Sequence, residues 1–437
     1  MNSMALSREK KMKKYQLSKF NIYHENLCAV SNTMTGSVLE LDEKELKSLK
    51  QAMFSEFDNE VMDVLRENGI IVETSCDEKK LLRDAYFSCK YDTQNKEKHM
   101  TVTIAPSLFC NFNCPYCYER RTTAKMSIEV MNHVCEFVEK EIINHHIRSL
   151  TVCWYGGEPL LQLEIIEILS RNLMRFCESM GVHYHASMIT NGYTVSEEVA
   201  KRLVQLKVEN MQITIDGDKE THNKRRVPAN GKETYDIIVK NIFLLAENHI
   251  YVNVRVNLDK SNVLKYRDVT AVFQNQENII CYPALVTAED SQSNEQRALC
   301  YKHSEYVKFY NEIYNQADSD SRKNMCANFE PGVSNCAAEH AHSYVIDPYG
   351  NIYKCLNDIC DPECAVGHVS GRVKENDILR NYMERDPFEE EECKDCPFLP
   401  MCYGGCMFEY QKHGNHACKA VKYLYEKSVL QQVATAK

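Results

Sequence analysis

The amino-acid sequence predicts an α/β fold built on a partial (β/α)6 TIM-like barrel, with a winged-helix-like domain before it and a cysteine-rich domain after it. Three observations lead to this prediction: a hairpin-and-helix pattern in residues 1–95, six strand-like runs alternating with helices in residues 100–315, and ten cysteines in residues 320–437. Strands that alternate with helices form parallel βαβ units. An open doubly wound sheet would show the same alternation.

The first region, residues 1–95, has the pattern of a small winged-helix-like domain. Two strand-like runs flank the turn "TMTG", two amphipathic segments follow, and a third strand-like run returns: residues 20–32, 37–42, 43–53, 59–69 and 70–74. Gly69 is placed to cap the second amphipathic helix. The polar, breaker-rich residues 90–99 then serve as a linker.

The second region, residues 100–315, carries the predicted barrel strands at 101–105, 150–154, 184–189, 211–215, 251–256 and 278–282. Helical stretches lie between them, and the clearest has one apolar face formed by Ile128, Met131, Cys135, Val138 and Ile142. Because parallel strands end at one edge of a sheet, the polar motifs that follow them are expected to meet there. These motifs are "FCNFNCPYCYE" (109–119), "YGGEP" (155–159), "TNG" (190–192), "DGD" (216–218), and Arg255 with Asn257.

Composition narrows the class of protein. Hydrophobic residues make up 44% and charged residues 26% of the 437, as in ordinary globular proteins, and the net charge of −10 argues against a nucleic-acid binder. The basic N-terminus lacks the apolar stretch of a secretory signal, and no apolar run approaches the roughly 18 residues that span a bilayer. We therefore expect a cytoplasmic protein without a membrane partner. Thiols stay reduced in the cytoplasm, so clustering among the 21 cysteines indicates metal binding or catalysis rather than disulfide bonds.

The most informative motif is the C-x3-C-x2-C spacing of Cys110, Cys114 and Cys117. Iron–sulfur clusters and zinc ions usually take four protein ligands. Three thiolates hold three irons of a 4Fe–4S cube, which leaves the fourth iron open to a substrate or cofactor. A zinc site completed by a distant residue is the plainer alternative, but it explains neither "GGEP" nor the meeting of five motifs at one edge.

With Tyr118 after the last cysteine, this motif resembles the radical S-adenosylmethionine (radical SAM) superfamily. The resemblance implies a 4Fe–4S cluster whose open iron binds S-adenosylmethionine (SAM), and cleavage of SAM to a 5′-deoxyadenosyl radical that abstracts hydrogen from a C–H bond. It also implies a set of SAM-contacting residues: Tyr118, Gly156, Gly157, Glu158, Asn191, Thr214, Asp216 and Arg255. Arg225 or Arg226 is an alternative to Arg255 for the SAM carboxylate.

The third region resembles the SPASM domain, whose seven-cysteine pattern holds two auxiliary 4Fe–4S clusters. Carried over by position, one cluster would use Cys336, Cys355, Cys406 and the upstream Cys326, and the other Cys393, Cys396, Cys402 and Cys418. Cys360 and Cys364 fall outside the pattern, and one of them is an alternative to Cys326. Structural zinc remains the other interpretation of these cysteines, because thiolates suit both metals. The 15 histidines show no ligand spacing, so we interpret them, including His145 and His146, as structural.

The enzymes with this domain pair mostly modify peptides or proteins. The first region resembles the leader-recognition element of ribosomal-peptide (RiPP) maturases, in which a strand edge binds an extended peptide. We therefore predict a RiPP maturase that forms a thioether or carbon–carbon crosslink in a small precursor peptide, with flavodoxin or ferredoxin as electron donor. An anaerobic sulfatase-maturing, formylglycine-generating enzyme and a non-enzymatic iron–sulfur electron carrier are the alternatives. No catalytic acid or base is identifiable from the sequence.

Overall fold

The computed structural model describes residues 14–93, 98–119, 122–287, 293–326, 331–332, 336–359, 361–414 and 418–435. The chain forms two compact units. The first unit comprises Met1–Thr93, Cys326–Cys336 and Asp386–Lys437, and the second comprises Gln94–Met325 and Ala337–Arg385. The cysteine-rich third region thus contributes to both units, while its role as an auxiliary-cluster domain stays a prediction.

The first unit begins with five short strands and three helices. The strands are β1 (Tyr15–Leu17), β2 (Asn21–His24), β3 (Ala29–Asn32), β4 (Val38–Glu40) and β5 (Ile71–Glu73), and the helices are α1 (Glu43–Lys50), α2 (Asn59–Glu67) and α3 (Glu78–Tyr91). Strands β2, β3 and β4 form an antiparallel sheet, and β1 pairs with β5. The two amphipathic helices and the returning strand are confirmed.

One expectation for this unit was wrong. Residues 20–32, predicted as a single strand, form a hairpin of β2 and β3, because the chain turns at Glu25–Leu27 and Cys28 adopts a left-handed backbone with φ of 47°. Neither glycine nor proline marks this turn, so the two strands were predicted as one. Gly69 does follow α2 with φ of +71°, and the Ile70 amide donates to the Leu65 carbonyl, as in a Schellman cap.

The second unit contains the predicted barrel strands in the predicted order. They are β6 (Lys98–Ile104), β7 (Ile147–Trp154), β8 (His183–Thr190), β9 (Val208–Ile215), β10 (Tyr251–Leu258) and β11 (Ile279–Leu285). Each pairs in parallel with the next, which confirms the partial (β/α)6 arrangement. Every second side chain is buried along the strands, for example Leu150, Val152 and Trp154 of β7.

Helices follow the strands as βαβ units require. They are α4 (Ile128–His145), α5 (Leu163–Met180), α6 (Glu197–Gln205), α7 (Lys219–Arg225), α8 (Tyr235–Glu247), α9 (Tyr266–Val272), α10 (Asn294–Leu299), α11 (Tyr306–Gln316) and α12 (Ser319–Cys326). Helix α4 begins at Ser127, whose side chain accepts a hydrogen bond from the Val130 amide, a normal N-cap. Its buried face includes the predicted Met131, Cys135, Val138 and Ile142, whereas Ile128 is exposed.

Three further strands extend the same sheet. Strand β12 (Ser343–Ile346) pairs in parallel with β6, and β13 (Asn351–Tyr353) and β14 (Gly367–His368) follow in antiparallel order. Helix α13 (Asp377–Glu384) closes the second unit, and the first unit ends with three helices, α14 (Leu399–Cys402), α15 (Met407–His413) and α16 (Val421–Thr435). Among the described residues, none of the helices is both long and apolar enough to span a membrane.

Candidate functional site

The three motif cysteines lie in the loop that follows β6, at the edge of the sheet where the parallel strands end. Cys110, Cys114 and Cys117 are all partly exposed. The Cys117 amide donates to the Cys114 carbonyl over 3.3 Å, and the Phe112 amide points at the Cys110 sulfur over 3.4 Å. Burial raises the pKa of the Cys110 thiol to about 12, so this thiol needs a cation or a metal to become a thiolate.

The two glycines of "GGEP" hold this cysteine loop at close range. A Cβ on Gly156 would lie 2.3 Å from the Ser107 carbonyl oxygen, and one on Gly157 would lie 2.4 Å from that of Phe109. The Gly157 amide donates to Ser107 over 3.2 Å and the Glu158 amide to Phe109 over 2.9 Å. The glycines are therefore required for the loop after β7 to approach the loop after β6. Their predicted role as SAM contacts stays a prediction.

Glu158 is fully buried and joins three strand-end loops. One carboxylate oxygen accepts from the Leu160 amide (3.0 Å) and the Thr190 hydroxyl (2.6 Å), and the other from the Asn191 amide (2.7 Å). Burial nevertheless raises its pKa. Sequence analysis placed Glu158 among the SAM-contacting residues. The structure places it as a link between "GGEP" and "TNG".

Replacing Glu158 with glutamine is expected to lower the free energy of unfolding by about 1–3 kcal/mol. In either orientation of the glutamine side chain, its NH2 group faces a backbone N–H that now donates a hydrogen bond to the carboxylate. Two donors then face each other and that hydrogen bond is lost. Urea unfolding under anaerobic conditions measures the change, with Glu164→Gln, an exposed position on α5, as control. Unchanged unfolding together with a raised KM for SAM would instead make the cofactor the main partner of Glu158.

A buried group of charged side chains ties the cysteine loop to the end of β9. The Tyr116 hydroxyl, inside the cysteine motif, donates to Asp216 over 2.8 Å and accepts from Arg226 over 2.9 Å. Arg225 bridges Asp216 (3.2 Å) and Asp259 (3.0 Å). Burial raises the pKa of Asp216, and the two guanidinium groups oppose that rise. Asp216, predicted to contact SAM, is engaged here in positioning the cysteine loop.

These arginines make the cysteine loop suitable for an anionic iron–sulfur cluster. Arg226 lies close enough to Cys110 and Cys114 to interact electrostatically with both thiols. Its Nε and the Arg225 Nη1 are buried, and among the described residues they find no hydrogen-bond acceptor. Three thiols in one loop, two of them beside a buried guanidinium group with a spare donor, fit a cluster with cysteine ligands and a negatively charged cofactor group.

The remaining predicted SAM contacts lie along the same edge. Thr214 of β9 and Arg255 of β10 are register partners on neighbouring strands, and both are half-buried. Arg255 donates to Asn257 over 2.9 Å and lies within electrostatic range of Tyr118. Tyr118 itself shares a hydrogen bond between hydroxyl groups with Tyr155. The role of these residues in binding SAM stays a prediction.

Asn191 also belongs to this edge, because its side-chain amide donates to Asn111 of the cysteine loop over 2.8 Å. Sequence analysis missed three residues that complete the site, namely Tyr116, Tyr155 and Asp259. Tyr116 was detectable, since it lies between two motif cysteines. Asp259 was not, because only the fold brings it to Arg225.

One predicted auxiliary set is partly assembled in the first unit. Cys402 lies within electrostatic range of Cys396 and Cys418, and the Lys422 ammonium is 3.5 Å from the Cys418 sulfur. Cys393, the fourth member, is buried, and its amide carbonyl accepts from the Cys396 amide over 2.9 Å. Several thiols gathered beside one cation fit a metal cluster, whose presence stays a prediction.

The other predicted set is not assigned by the structure. Cys326, Cys336 and Cys406 belong to the first unit and Cys355 to the second, so this ligand set stays a prediction. The Cys326 thiol is buried beside the Ser428 hydroxyl. Of the two cysteines outside the pattern, Cys360 lies outside the described residues. Cys364 is buried in the apolar cluster that includes Leu108 and Tyr155.

Residues 104–262 match the model of the radical SAM superfamily, and the chain thus carries a radical SAM domain. The matched segment begins at the end of β6 and includes the cysteine loop, "GGEP", "TNG" and "DGD". The class of protein predicted from the cysteine motif is confirmed.

Among its relatives is a cysteine-type anaerobic sulfatase-maturating enzyme of Clostridium novyi, 22% identical in an alignment of 378 residues that covers 78% of this chain and 98% of that protein. Two solved structures share the fold. Native anSMEcpe with bound AdoMet and the Cp18Cys peptide has a TM-score of 0.60 at 20% identity, over 78% of this chain and 100% of that one. SuiB of Streptococcus suis has a TM-score of 0.50 at 16% identity, over 93% and 98%.

Proposed function

We propose that this protein uses SAM to generate a 5′-deoxyadenosyl radical and forms a thioether or carbon–carbon crosslink in a ribosomally made peptide. Peptide binding is a property of its structural relatives: anSMEcpe has been solved with the Cp18Cys peptide and SuiB with the precursor peptide SuiA. The radical SAM domain supplies the reaction class. These likenesses support a peptide substrate and leave the bond formed to experiment.

The observation that carries the choice of a precursor peptide is the size of the first region. Residues 1–95 are 22% of the 437-residue chain. The sulfatase-maturase alignment uses 98% of that enzyme yet leaves 22% of this chain outside. The alignment with SuiB leaves out only 7%, so it takes in most of residues 1–95. Residues 1–95 are large enough to form a separate module, which suits recognition of a leader sequence.

We assign leader binding to the three-stranded sheet of the first unit. Its outer strands, β2 and β4, each pair with β3 on one side. An extended leader can add to such an edge through backbone hydrogen bonds. Helix α1 continues from β4 after a capping box in which Asp42 and Glu45 exchange hydrogen bonds, so the sheet edge has a fixed orientation relative to the helix. The apolar cluster of Val30, Leu46 and Leu65 supports it from within.

The residues in the loops at the carboxyl ends of the parallel strands hold and orient the reacting groups. When bound, a 4Fe–4S cluster and SAM supply the hydrogen-abstracting radical. Cys110, Cys114 and Cys117 would hold the cluster, Arg226 offsets its negative charge, and Arg255 with Thr214 would bind the polar end of the cofactor. Glu158 and Asp216 keep the loops in register. The two SPASM cysteine sets would hold two further clusters, which would supply electron-transfer capacity for the oxidation that accompanies crosslinking, with flavodoxin or ferredoxin as the external electron donor.

Anaerobic incubation with SAM, dithionite and a precursor peptide encoded near the gene tests the proposal. The expected product is a peptide lighter by two hydrogens, with one 5′-deoxyadenosine for each crosslink: one hydrogen leaves in deoxyadenosine, the other as a proton with its electron. The same peptide without its leader is the control and is expected to show a higher KM. A product formed equally well without the leader would contradict leader recognition, and an unmodified peptide would contradict the maturase assignment.

The second candidate is an anaerobic sulfatase-maturing enzyme, favoured by the C. novyi relative. A short peptide with a sulfatase motif distinguishes the two. Conversion of its cysteine or serine to formylglycine, detected by an aldehyde-reactive hydrazine, would replace the first proposal. We expect no aldehyde with this peptide and retained deoxyadenosine formation.

A further inference from the structure

Two histidines and a glutamate meet in the second unit at the edge of the sheet opposite the cysteine loop. Glu141 and His145 lie one turn apart near the end of α4, and His342 comes directly before β12. One ligand atom from each side chain lies within 4.8 Å of the others. The Glu141 carboxylate is 3.6 Å from His145 Nε2, and the imidazole centroids of His145 and His342 are 4.6 Å apart.

We propose that Glu141, His145 and His342 bind a zinc ion. Two imidazoles and a carboxylate form a regular zinc donor set, with a water molecule completing the tetrahedron. Ligands about 2.0–2.1 Å from a tetrahedral ion lie roughly 3.3 Å from one another. The observed separations therefore need only small side-chain rotations.

His342 is the strongest indication of a ligand. Its side chain is 91% buried, and among the described residues its ring makes no hydrogen bond. Its ring lies against that of His145, the second proposed imidazole ligand, with the two centroids 4.6 Å apart. A neutral imidazole is the commonest protein ligand for metal ions, and in the described part of the chain no side chain competes for this ring through a hydrogen bond.

The surroundings include both a supporting and an opposing feature. The Tyr344 hydroxyl donates to the same Glu141 oxygen over 2.7 Å, the kind of contact that orients a carboxylate ligand. Lys98 and Lys354 add positive charge near His342. The Lys354 ammonium is held by the Ser343 carbonyl over 2.7 Å, which fixes and partly offsets its charge.

The proposed ion would join two parts of the second unit that are distant in sequence. Helix α4 follows the first barrel strand, whereas β12 is the additional strand beside it. A zinc ion held by both would tie the barrel to its extension. The ion would lie at the edge of the sheet opposite the cysteine loop, away from the site of SAM cleavage.

Zinc K-edge X-ray absorption on the anaerobically reconstituted full-length protein, incubated with zinc and desalted, tests the site. We expect a first shell of nitrogen and oxygen only, at about 2.0–2.1 Å, whereas zinc on the cysteines would show sulfur at about 2.3 Å. His145→Gln is expected to remove this shell. This variant is expected to fold normally, because the His145 side chain is 43% exposed. His146→Gln, at the exposed neighbouring position, is the matched control.

Two further variants make the test decisive. His342→Gln is expected to lose the same shell, and Tyr344→Phe to weaken zinc binding about 10- to 100-fold. Unchanged deoxyadenosine formation verifies that each variant is folded. A shell containing only sulfur, no bound zinc, or a nitrogen–oxygen shell retained in both His145→Gln and His342→Gln would overturn the proposal.

Discussion

Replacing Cys110, Cys114 and Cys117 with alanine is expected to abolish 5′-deoxyadenosine formation. The three thiols form the only ligand set in the radical SAM motif, and without them no cluster can bind SAM at this edge. Under the three-cluster proposal, iron falls from about twelve to about eight per chain. Anaerobic reconstitution, iron analysis and chromatographic quantification of deoxyadenosine measure both changes.

Alanine at Cys28, Cys76 and Cys135 is the control for this experiment. None of these thiols belongs to a predicted ligand set, so iron content and deoxyadenosine yield are expected to stay at the wild-type level. A wild-type protein that binds zinc in place of iron and forms no deoxyadenosine would contradict the cluster assignment. A residual of about four irons in the motif variant would mean that one auxiliary set holds no cluster.

The site at the carboxyl ends of the parallel strands could be predicted because the sequence motifs that mark it are local. Cysteine spacing, the glycine pair and the alternation of strands with helices are each visible within short windows, and parallel strands necessarily end together. We therefore predicted that four residues lie together at the carboxyl edge of the sheet, and the structure places all four there: Cys110, Glu158, Asn191 and Asp216.

What each residue contacts at that edge could not be predicted. Resemblance assigned Glu158 and Asp216 to the cofactor, but the structure engages both with protein donors from the loops after other strands. Such contacts depend on packing between loops far apart in sequence. The same holds for His145 and His342: sequence spacing suggested structural histidines, and only the pairing of β12 with β6 brings the two together.

Gly156 and Gly157 show that sequence can predict where a residue lies without predicting what it contacts. A glycine beside a cofactor and a glycine beside a neighbouring loop look identical in sequence, since both require the absence of a Cβ. In the structure, the atoms that exclude a side chain at Gly157 belong to the backbone of Leu108 and Phe109. The geometry of the cysteine loop thus depends on a residue that carries no reactive group.

Gly157→Ala is therefore expected to lower deoxyadenosine formation about a hundredfold, the loss typical of a displacement near 1 Å at a reacting centre. The new Cβ would lie 2.4 Å from the Phe109 carbonyl oxygen and 2.5 Å from its carbon. Backbone atoms cannot rotate away, so the cysteine loop must shift. Iron content and SAM cleavage, measured under anaerobic conditions, report the shift separately.

Gly371→Ala is the matched control, because its nearest neighbour would be an ordinary 3.7 Å contact. We expect that variant to cleave SAM at the wild-type rate. If Gly157→Ala retained iron and raised only the KM for SAM, the glycine would act mainly through the cofactor. If it lost iron and cleavage together, its contact with Phe109 would be what keeps the three thiols in place. The packing of the two loops predicts the second result, since it leaves no room for a methyl group between them.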